Sequence, residues 1–282
     1  MGRRTARGAA GAAGAVSTLM LVSCVSVTTT GPTDSGASPD SDPPRGDDVV
    51  HGREVPDGYY AGTEGLTGGS LKTALHDIVS DHTVLTYDEV WEALRVTDEA
   101  PGDPADVVLL YSGTTRDADD NGGGSGDWNR EHVWPKSRGD LGTHGPGSDL
   151  HHLRPTDVRV NSIRDSKDFD LGGEPVDGAP GTTTDDDSFA PRDEVRGDVA
   201  RMVLYMAVRY EGDGAEPDLE LDDRTGTGSV PRLGRLPVLL DWHAADPPDA
   251  FERRRNALIH EQFQHNRNPF IDHPEWAAAI WR

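Results

Sequence analysis

Glu131 and His132 stand side by side in the stretch NREHVWPKS, just before a rigid Trp-Pro pair. A carboxylate is a hard oxygen ligand for a metal ion, and an imidazole with a pKa of ~6.5 can take a proton at neutral pH. In an extended strand neighbouring side chains point to opposite faces, so these two residues need not compete for one ion. The pair is the minimum required for metal-assisted hydrolysis, although an isolated Glu-His pair is more often structural.

A second chemically rich segment, DLHHLRPTDVRVNSIRDSKDF, begins at Asp149 and contains His151, His152 and Asn161. From position 128 to position 168 basic residues outnumber acidic ones by one, whereas the whole chain has a formal net charge of -23. Phosphate contacts come from Lys and Arg, so this region is the one suited to an anionic substrate. Its basic residues are Arg130, Lys136, Arg138, Arg154, Arg159, Arg164 and Lys167.

Four other features are disfavoured: an intrachain disulfide, two kinds of zinc site and a calcium-binding loop. Cys24 is the only cysteine, which excludes an intrachain disulfide and a cysteine-based zinc site. Residues 117–122, DADDNG, match half of a calcium-binding loop, but Trp128 stands where that loop needs a glutamate. We interpret this stretch as a surface loop, with incidental calcium binding as the alternative. The adjacent pair His151-His152 disfavours zinc as well, because neighbouring histidines seldom bind one ion in a regular element.

The N-terminus has the pattern of a bacterial lipoprotein signal. Three arginines precede an apolar stretch that is too short and Gly-rich for a transmembrane helix and that ends in Leu-Val-Ser-Cys. We predict a signal peptide over residues 1–23 and lipidation of Cys24, with ordinary cleavage nearby as the alternative. Residues 24–48 have the composition of a flexible tether. A catalytic domain is expected over residues 49–282, secreted or held by its lipid at the outer face of the membrane.

Hydrophobic spacing predicts the elements that position these residues. SLKTALHDIVS predicts a helix with Ser70 as N-cap, and TYDEVWEALR predicts a helix opened by a capping box of Thr86 and Glu89. DVVLLYSG indicates a buried strand, and DWNREHVW a second strand that carries the Glu-His pair. Further helices are predicted with one core face over GDVARMVLYMAVRYEG, from an N-cap at Asp246, and from Pro274. The acidic stretches at 177–191 and 211–228 are predicted to be solvated loops.

The order of three motifs resembles the endonuclease I family of secreted and periplasmic bacterial nucleases. They are NREHVWPKS, DLHHLRPTDVRVNSIRDSKDF and FERRRNALIHEQFQHNRNPFIDHPEW, the last similar to the extracellular ribonuclease-like members. The resemblance extends from about Leu71 to Trp281. That family belongs to the ββα-metal, or His-Me finger, nucleases, in which a hairpin and a helix bracket one divalent ion. It implies an α+β fold: a single, mostly helical domain with a small sheet and this finger at the active site.

The resemblance also implies the roles of three residues. His132 matches the general base that activates the attacking water. Glu131 and Asn161 match the two protein ligands of the ion, which is expected to be Mg²⁺, with Mn²⁺ or Ca²⁺ as alternatives. Two protein oxygens plus waters suit magnesium, because this ion retains much of its hydration.

The remaining site residues follow less directly from the resemblance. His151 stands where the family keeps a histidine, and His152 where several members have asparagine; Asn129 is a further supporting residue. The phosphate-gripping arginine of some members comes from a segment that has no match here. Arg154 and Arg164 are our candidates for that contact, with internal salt bridges to Asp157, Asp165 or Asp168 as the alternative.

The sequence therefore predicts a secreted, metal-dependent, largely sequence-nonspecific endonuclease that hydrolyses phosphodiester bonds in DNA, RNA or both. Nucleic acid is the expected partner; no protein partner is indicated, and a monomer is expected. Two alternatives stay open. One is a metal-dependent phosphodiesterase or phosphatase acting on small phosphate esters, and the other is a non-catalytic acidic surface lipoprotein.

Overall fold

The computed structural model describes residues 54–282. The predicted signal peptide, Cys24 and the tether lie outside these residues. Across the described range no helix has the length and apolar character needed to cross a membrane. The same range contains eight α-helices and eleven short strands, and the α+β class is confirmed.

The helices lie at both ends of the described range and between the strands. They are α1 (Gly68–Ser80), α2 (Glu89–Thr97), α3 (Val158–Arg164), α4 (Arg196–Arg209), α5 (Leu236–Ala245), α6 (Ala250–Leu258), α7 (Pro269–Asp272) and α8 (Glu275–Trp281).

The strands form four small sheets. The first sheet contains β1 (Glu99–Ala100), β2 (Asp103–Val108) and β3 (Thr115–Asp117), and the second pairs β4 (Trp128–His132) with β5 (Leu153–Asp157). The third contains β6 (Asp168–Phe169), β7 (Glu174–Pro175), β8 (Thr183–Thr184) and β9 (Ser188–Ala190). The fourth pairs β10 (Glu220–Asp222) with β11 (Arg232–Gly234).

Helix α4 lies at the centre of the main core. Every one of its residues after Arg196 is buried, because α1, α5 and α7 all pack against it. The sequence predicted one core face, whereas the helix is buried on all sides. Its polar residues are satisfied internally: the Arg201 guanidinium binds the Glu252 carboxylate of α6, with Nε 2.8 Å from Oε1. A fully buried helix with paired charges is the outcome expected at the centre of a domain.

Three helix starts test the capping predictions. Ser70 is not the N-cap that the sequence predicted, because α1 begins earlier, at Gly68, and Ser70 lies inside the helix. The capping box before α2 is confirmed, because the Thr86 amide donates to Glu89 Oε2 (2.7 Å) and the Glu89 amide donates to Thr86 Oγ1 (3.3 Å). The N-cap predicted at Asp246 is wrong. Asp249 caps α6 by accepting from the Glu252 amide, whereas Asp246 follows α5 and its carboxylate accepts from the Gly197 amide at 2.9 Å.

The acidic stretches are not only loops. The first contributes β8 and β9, and Ser188, Phe189 and Ala190 of β9 are all buried. The second contributes β10, which pairs in parallel with β11. The buried triplet of β9 explains the first of these strands, because the overall acidity of its segment concealed a short run of residues that enters the core.

The two motif segments meet in a hairpin followed by a helix. Strands β4 and β5 are antiparallel, with Glu131 opposite Arg154 and His132 opposite Leu153. Helix α3 follows β5 directly, because the Asp157 carboxylate caps its start by accepting from the amides of Arg159 (2.9 Å) and Val160 (3.3 Å). The strand that carries the Glu-His pair therefore lies beside the helix that carries Asn161.

Candidate active site

An open cleft with a volume of about 510 Å³ lies beside β4 and α3. It brings together five of the residues singled out from the sequence, and three others, His151, His152 and Arg154, do not line it. The cleft is lined by Tyr87, Asn129, Glu131, His132, Pro135, Lys136, Ser137, Asp140, Asn161, Ser162, Arg164, Asp165 and Ser166.

Glu131 is a buried carboxylate with one oxygen already engaged. The Tyr111 hydroxyl donates to its Oε1 at 2.7 Å, and Arg164 Nε lies 3.5 Å from the same oxygen. Burial raises the pKa of Glu131, while Arg164 and Tyr111 oppose that shift. Its Oε2 accepts no hydrogen bond from any described residue. The Glu131 side chain is thus fixed by Oε1 and can offer Oε2 to a cation.

Asn161 is oriented by a neighbour on the hairpin. Its Nδ2 donates to Asn129 Oδ1 at 2.7 Å, so the amide group is turned with Oδ1 as its uncommitted oxygen. Asn129 and Glu131 are two positions apart on β4 and therefore share one face of that strand. The cleft thus combines a carboxylate oxygen and an amide oxygen, both hard donors.

His132 is held by a hydrogen bond that fixes its tautomer. Its Nε2 lies 3.1 Å from the Gly147 carbonyl oxygen. Because a carbonyl can only accept, Nε2 carries the proton and Nδ1 has a free lone pair. Desolvation by the surrounding protein, with a smaller contribution from the positive form of His152, holds the pKa of His132 well below 6.5. At neutral pH the ring is therefore a neutral base at Nδ1.

The Gly147 carbonyl is placed by a tight, buried turn at Gly145–Ser148. A Cβ at Gly147 would overlap the Gly142 carbonyl and lie 2.7 Å from the Leu141 carbonyl oxygen. Only glycine fits without a backbone shift, so the position of the His132 hydrogen bond depends on this residue.

His151 and His152 lie behind the cleft in the interior. His152 packs edge-on against His132, with ring centroids 5.6 Å apart, and its Nε2 donates to the Pro146 carbonyl at 2.8 Å. His151 Nε2 lies 3.1 Å from Asn266 Oδ1. Burial lowers the pKa of each of these two histidines to about 4. Both are therefore neutral at physiological pH.

Arg154 and Arg164 are both buried and engaged within the protein. Arg154 binds the carboxylate of Asp98 and lies 3.4 Å from that of Asp198. Arg164 lines the cleft, but its guanidinium donates to the carbonyls of His132 (3.1 Å) and Val133 (2.6 Å). The sequence analysis gave salt bridges to Asp157, Asp165 or Asp168 as the alternative to phosphate contact. Neither arginine forms an ion pair with any of these three carboxylates. Each arginine fixes the backbone or the carboxylates around the hairpin.

Several residues of this site were not anticipated from the sequence. Tyr111 lies 20 positions before Glu131 and Gly147 lies 15 positions after His132, and no local pattern links either residue to the pair. Tyr87 and Lys136 also line the cleft. The sequence placed Lys136 in the basic region but gave it no individual role, although its position within the first motif could have indicated one.

Within residues 54–282 there is no group of three or more His, Cys, Asp or Glu side chains that could hold a metal ion. A cation in the cleft would have Glu131 and Asn161 as its protein ligands. This small number of ligands suits an ion that keeps several waters.

The chain matches a family model and two relatives over most of its length. The model described as Endonuclease I matches residues 67–275. The extracellular ribonuclease of Bacillus subtilis (strain 168) is 61% identical over 226 residues, which are 80% of this chain and 78% of the relative. The extracellular ribonuclease of Bacillus amyloliquefaciens is 59% identical over 224 residues, 79% of this chain and 78% of the relative. The matched range includes β4, β5 and α3.

Proposed function

We propose, because this chain belongs to the endonuclease I family, that it is a secreted, metal-dependent endonuclease that hydrolyses phosphodiester bonds with RNA as its preferred substrate. The observation that carries the proposal is one cleft that combines two free oxygen ligands with a neutral imidazole. The preference for RNA and the secretion are supported by the two relatives, both named extracellular ribonuclease.

We assign β4, β5 and α3 to a ββα finger with Glu131 Oε2 and Asn161 Oδ1 as the metal ligands. The donor set fits a hard divalent ion such as Mg²⁺, since both free atoms are oxygens and few protein ligands are available. Burial raises the pKa of the Glu131 carboxyl, and a cation beside it would keep the group ionised. When bound, the ion would polarise the phosphoryl oxygen and stabilise the leaving alkoxide.

His132 is the general base in this proposal. Its Nδ1 takes a proton from the attacking water, while Nε2–H stays bound to the Gly147 carbonyl and keeps the ring in place. The lowered pKa keeps Nδ1 unprotonated before the reaction. Tyr111 and Arg164 hold Glu131 by its other oxygen, so the carboxylate keeps its orientation.

The cations take two different parts. Lys136 is exposed at the cleft and forms no ion pair with the described residues, so we assign it the contact with the phosphate backbone. Arg164 adds positive charge beside the scissile phosphate while it holds β4. Arg154 does not line the cleft, and we assign it an interior bracing role through Asp98.

The test is digestion of total RNA and plasmid DNA by the purified protein with Mg²⁺, with EDTA, and as His132→Ala. We expect RNA degradation that requires the ion and falls on the order of 10²–10⁴-fold in the variant, with an unchanged circular dichroism spectrum. A folded wild-type protein that left both polymers intact in Mg²⁺, Mn²⁺ and Ca²⁺ would contradict the proposal. Small phosphate esters would then separate the phosphodiesterase alternative from a non-catalytic lipoprotein.

The lipid anchor on Cys24 remains a prediction from the signal pattern, since this residue lies outside the described range.

A further inference from the structure

Tyr87 and Arg130 form a cation–π stack that has no part in the mechanism above. The guanidinium carbon of Arg130 lies 3.4 Å from the centroid of the Tyr87 ring and 4.0 Å from that of Trp91. Arg130 Nη1 also donates to the backbone carbonyl of Tyr87. The arginine therefore fixes both the ring and the backbone of this tyrosine at the start of α2.

The Tyr87 ring lies next to the proposed catalytic base. Its centroid is 5.9 Å from that of the His132 ring, and Lys136 Nζ is 5.4 Å from the same centroid. All three side chains line the cleft, and the Tyr87 side chain is half-buried. An aromatic ring, an exposed cation and the base thus lie within the dimensions of one nucleotide.

We propose that Tyr87 is a stacking site for the unpaired nucleobase next to the scissile phosphate, with Lys136 on the neighbouring phosphate. The inference rests on the proposed nuclease function and extends it to a substrate class, single-stranded nucleic acid. Every base has a π-face, so stacking on a tyrosine is tolerant of sequence and suits a nonspecific nuclease. A base within a duplex is already stacked and paired, and its face is not available to the ring.

The alternative is that Tyr87 has only a structural role, in which its ring packs against the Arg130 guanidinium. Removing the ring would then loosen β4 and impair the protein equally toward every substrate. A stacking site predicts a loss that depends on whether the substrate has an unpaired base, so the choice of substrates separates the two roles.

The experiment compares Tyr87→Leu with the matched variant Tyr87→Phe, which keeps the ring. The substrates are a single-stranded oligoribonucleotide, its perfect duplex, and an abasic oligomer of the same length and charge. We expect Tyr87→Leu to lower kcat/KM for the single strand by about 5- to 100-fold, the range of base–aromatic stacking. The change for the duplex and the abasic oligomer should stay within about twofold, and Tyr87→Phe should behave as wild type. An equal loss on all three substrates, or no loss on the single strand, would overturn the proposal.

A binding measurement separates this proposal from the nuclease function. A single strand containing 2-aminopurine is titrated with the wild-type protein and with both variants in EDTA, where no metal-dependent cleavage occurs. Quenching of the base by wild type and Tyr87→Phe, lost in Tyr87→Leu, supports the stacking site even if the protein never cleaves RNA. Cleavage by wild type with equal quenching by all three proteins contradicts the stacking site and leaves the nuclease function standing.

Discussion

At the level of single residues, hydrogen bonds to one atom decide what the other atom of the same group can do. Tyr111 and Arg164 both engage Oε1 of Glu131, and Asn129 engages Nδ2 of Asn161. The remaining oxygens, Glu131 Oε2 and Asn161 Oδ1, are both suited to bind a cation, because each side chain keeps one free oxygen donor. Partners of this kind around metal ligands typically change affinity by 10–100-fold when they are lost.

Asn129→Ala tests this arrangement. Without the Asn129 oxygen, the Asn161 amide is free to turn its nitrogen toward the cation, so we expect the Mg²⁺ concentration for half-maximal activity to rise by roughly 10-fold. Activity should recover at high Mg²⁺, because the ligand is still present. The measurement is RNA cleavage over a Mg²⁺ titration.

Ser162→Ala is the matched control for this prediction. Ser162 lies on the same helix and lines the same cleft, but its hydroxyl donates to the Val158 carbonyl at 2.8 Å. It should leave the Mg²⁺ titration unchanged. An unaltered Mg²⁺ requirement in Asn129→Ala would mean that Asn129 does not orient the proposed ligand.

The sequence could identify the residues with reactive groups and one residue that orients them, Asn129, but not Tyr111 or Gly147. An adjacent Glu-His pair on a strand and an asparagine in a basic segment can be recognised from residue type and spacing. Tyr111 comes from another part of the chain, and only the fold brings it to Glu131. The same limit applied to Arg154, because the carboxylate it binds, Asp98, lies 56 positions away.

At the level of elements, the turn between the two strands of the hairpin positions His132, the proposed general base. The loop from β4 to β5 folds back so that the Gly147 carbonyl meets His132 Nε2. Residues with special backbone requirements could not be assigned to this turn from the sequence, since the chain has 33 glycines and many lie in ordinary turns. The capping box of α2 could be assigned, because it depends on two residues three positions apart.

Gly147→Ala is expected to impair catalysis while the protein stays folded. The added Cβ would overlap the Gly142 carbonyl, so the turn must shift and the carbonyl that orients His132 shifts with it. A misplacement of about 1 Å can cost on the order of 10²-fold in rate. We expect a fall of that order in kcat with RNA at saturating Mg²⁺.

The control is Gly123→Ala, at a position where an added Cβ meets no atom within 4 Å. It should retain wild-type kcat. Wild-type kcat in Gly147→Ala would show that the turn adapts without moving the base. An unchanged circular dichroism spectrum of Gly147→Ala shows that its loss of kcat is not a loss of folding.

At the level of the whole molecule, part of the basic character of the motif region is buried inside the protein. Of its seven basic residues, Arg138, Arg154 and Arg164 are buried, and Arg138 Nη2 binds Asp168 at 2.8 Å. The formal charge of the segment therefore overstates the positive field that a substrate meets. Lys136 is the exposed cation at the cleft among the described residues, in a chain with a net charge of -23, and the half-buried Arg130 stacks on Tyr87. This scarcity of free cations supports the proposals that a divalent ion and base stacking contribute to substrate binding.

The buried histidines make the stability of the fold depend on pH. His152 has a pKa of about 4 in the folded protein because it is buried, against ~6.5 in the unfolded chain. The unfolded chain therefore binds the proton more tightly, and the contribution of the neutral His152 to stability is present above pH 6.5 and lost as the pH falls toward 4. The loss between pH 7 and pH 5 should be about 2 kcal/mol.

His152→Asn isolates that contribution, because asparagine does not titrate and other groups titrate in both proteins. Urea unfolding at pH 7, 6 and 5 should show wild type losing about 2 kcal/mol more than the variant as the pH falls. His144→Gln, at an exposed histidine, should follow the wild-type curve. A difference between wild type and His152→Asn that stays constant from pH 7 to pH 5 would mean that His152 titrates normally in the folded protein. Burial of His152 against His132 would then not be enough to keep the His152 ring neutral in the folded protein.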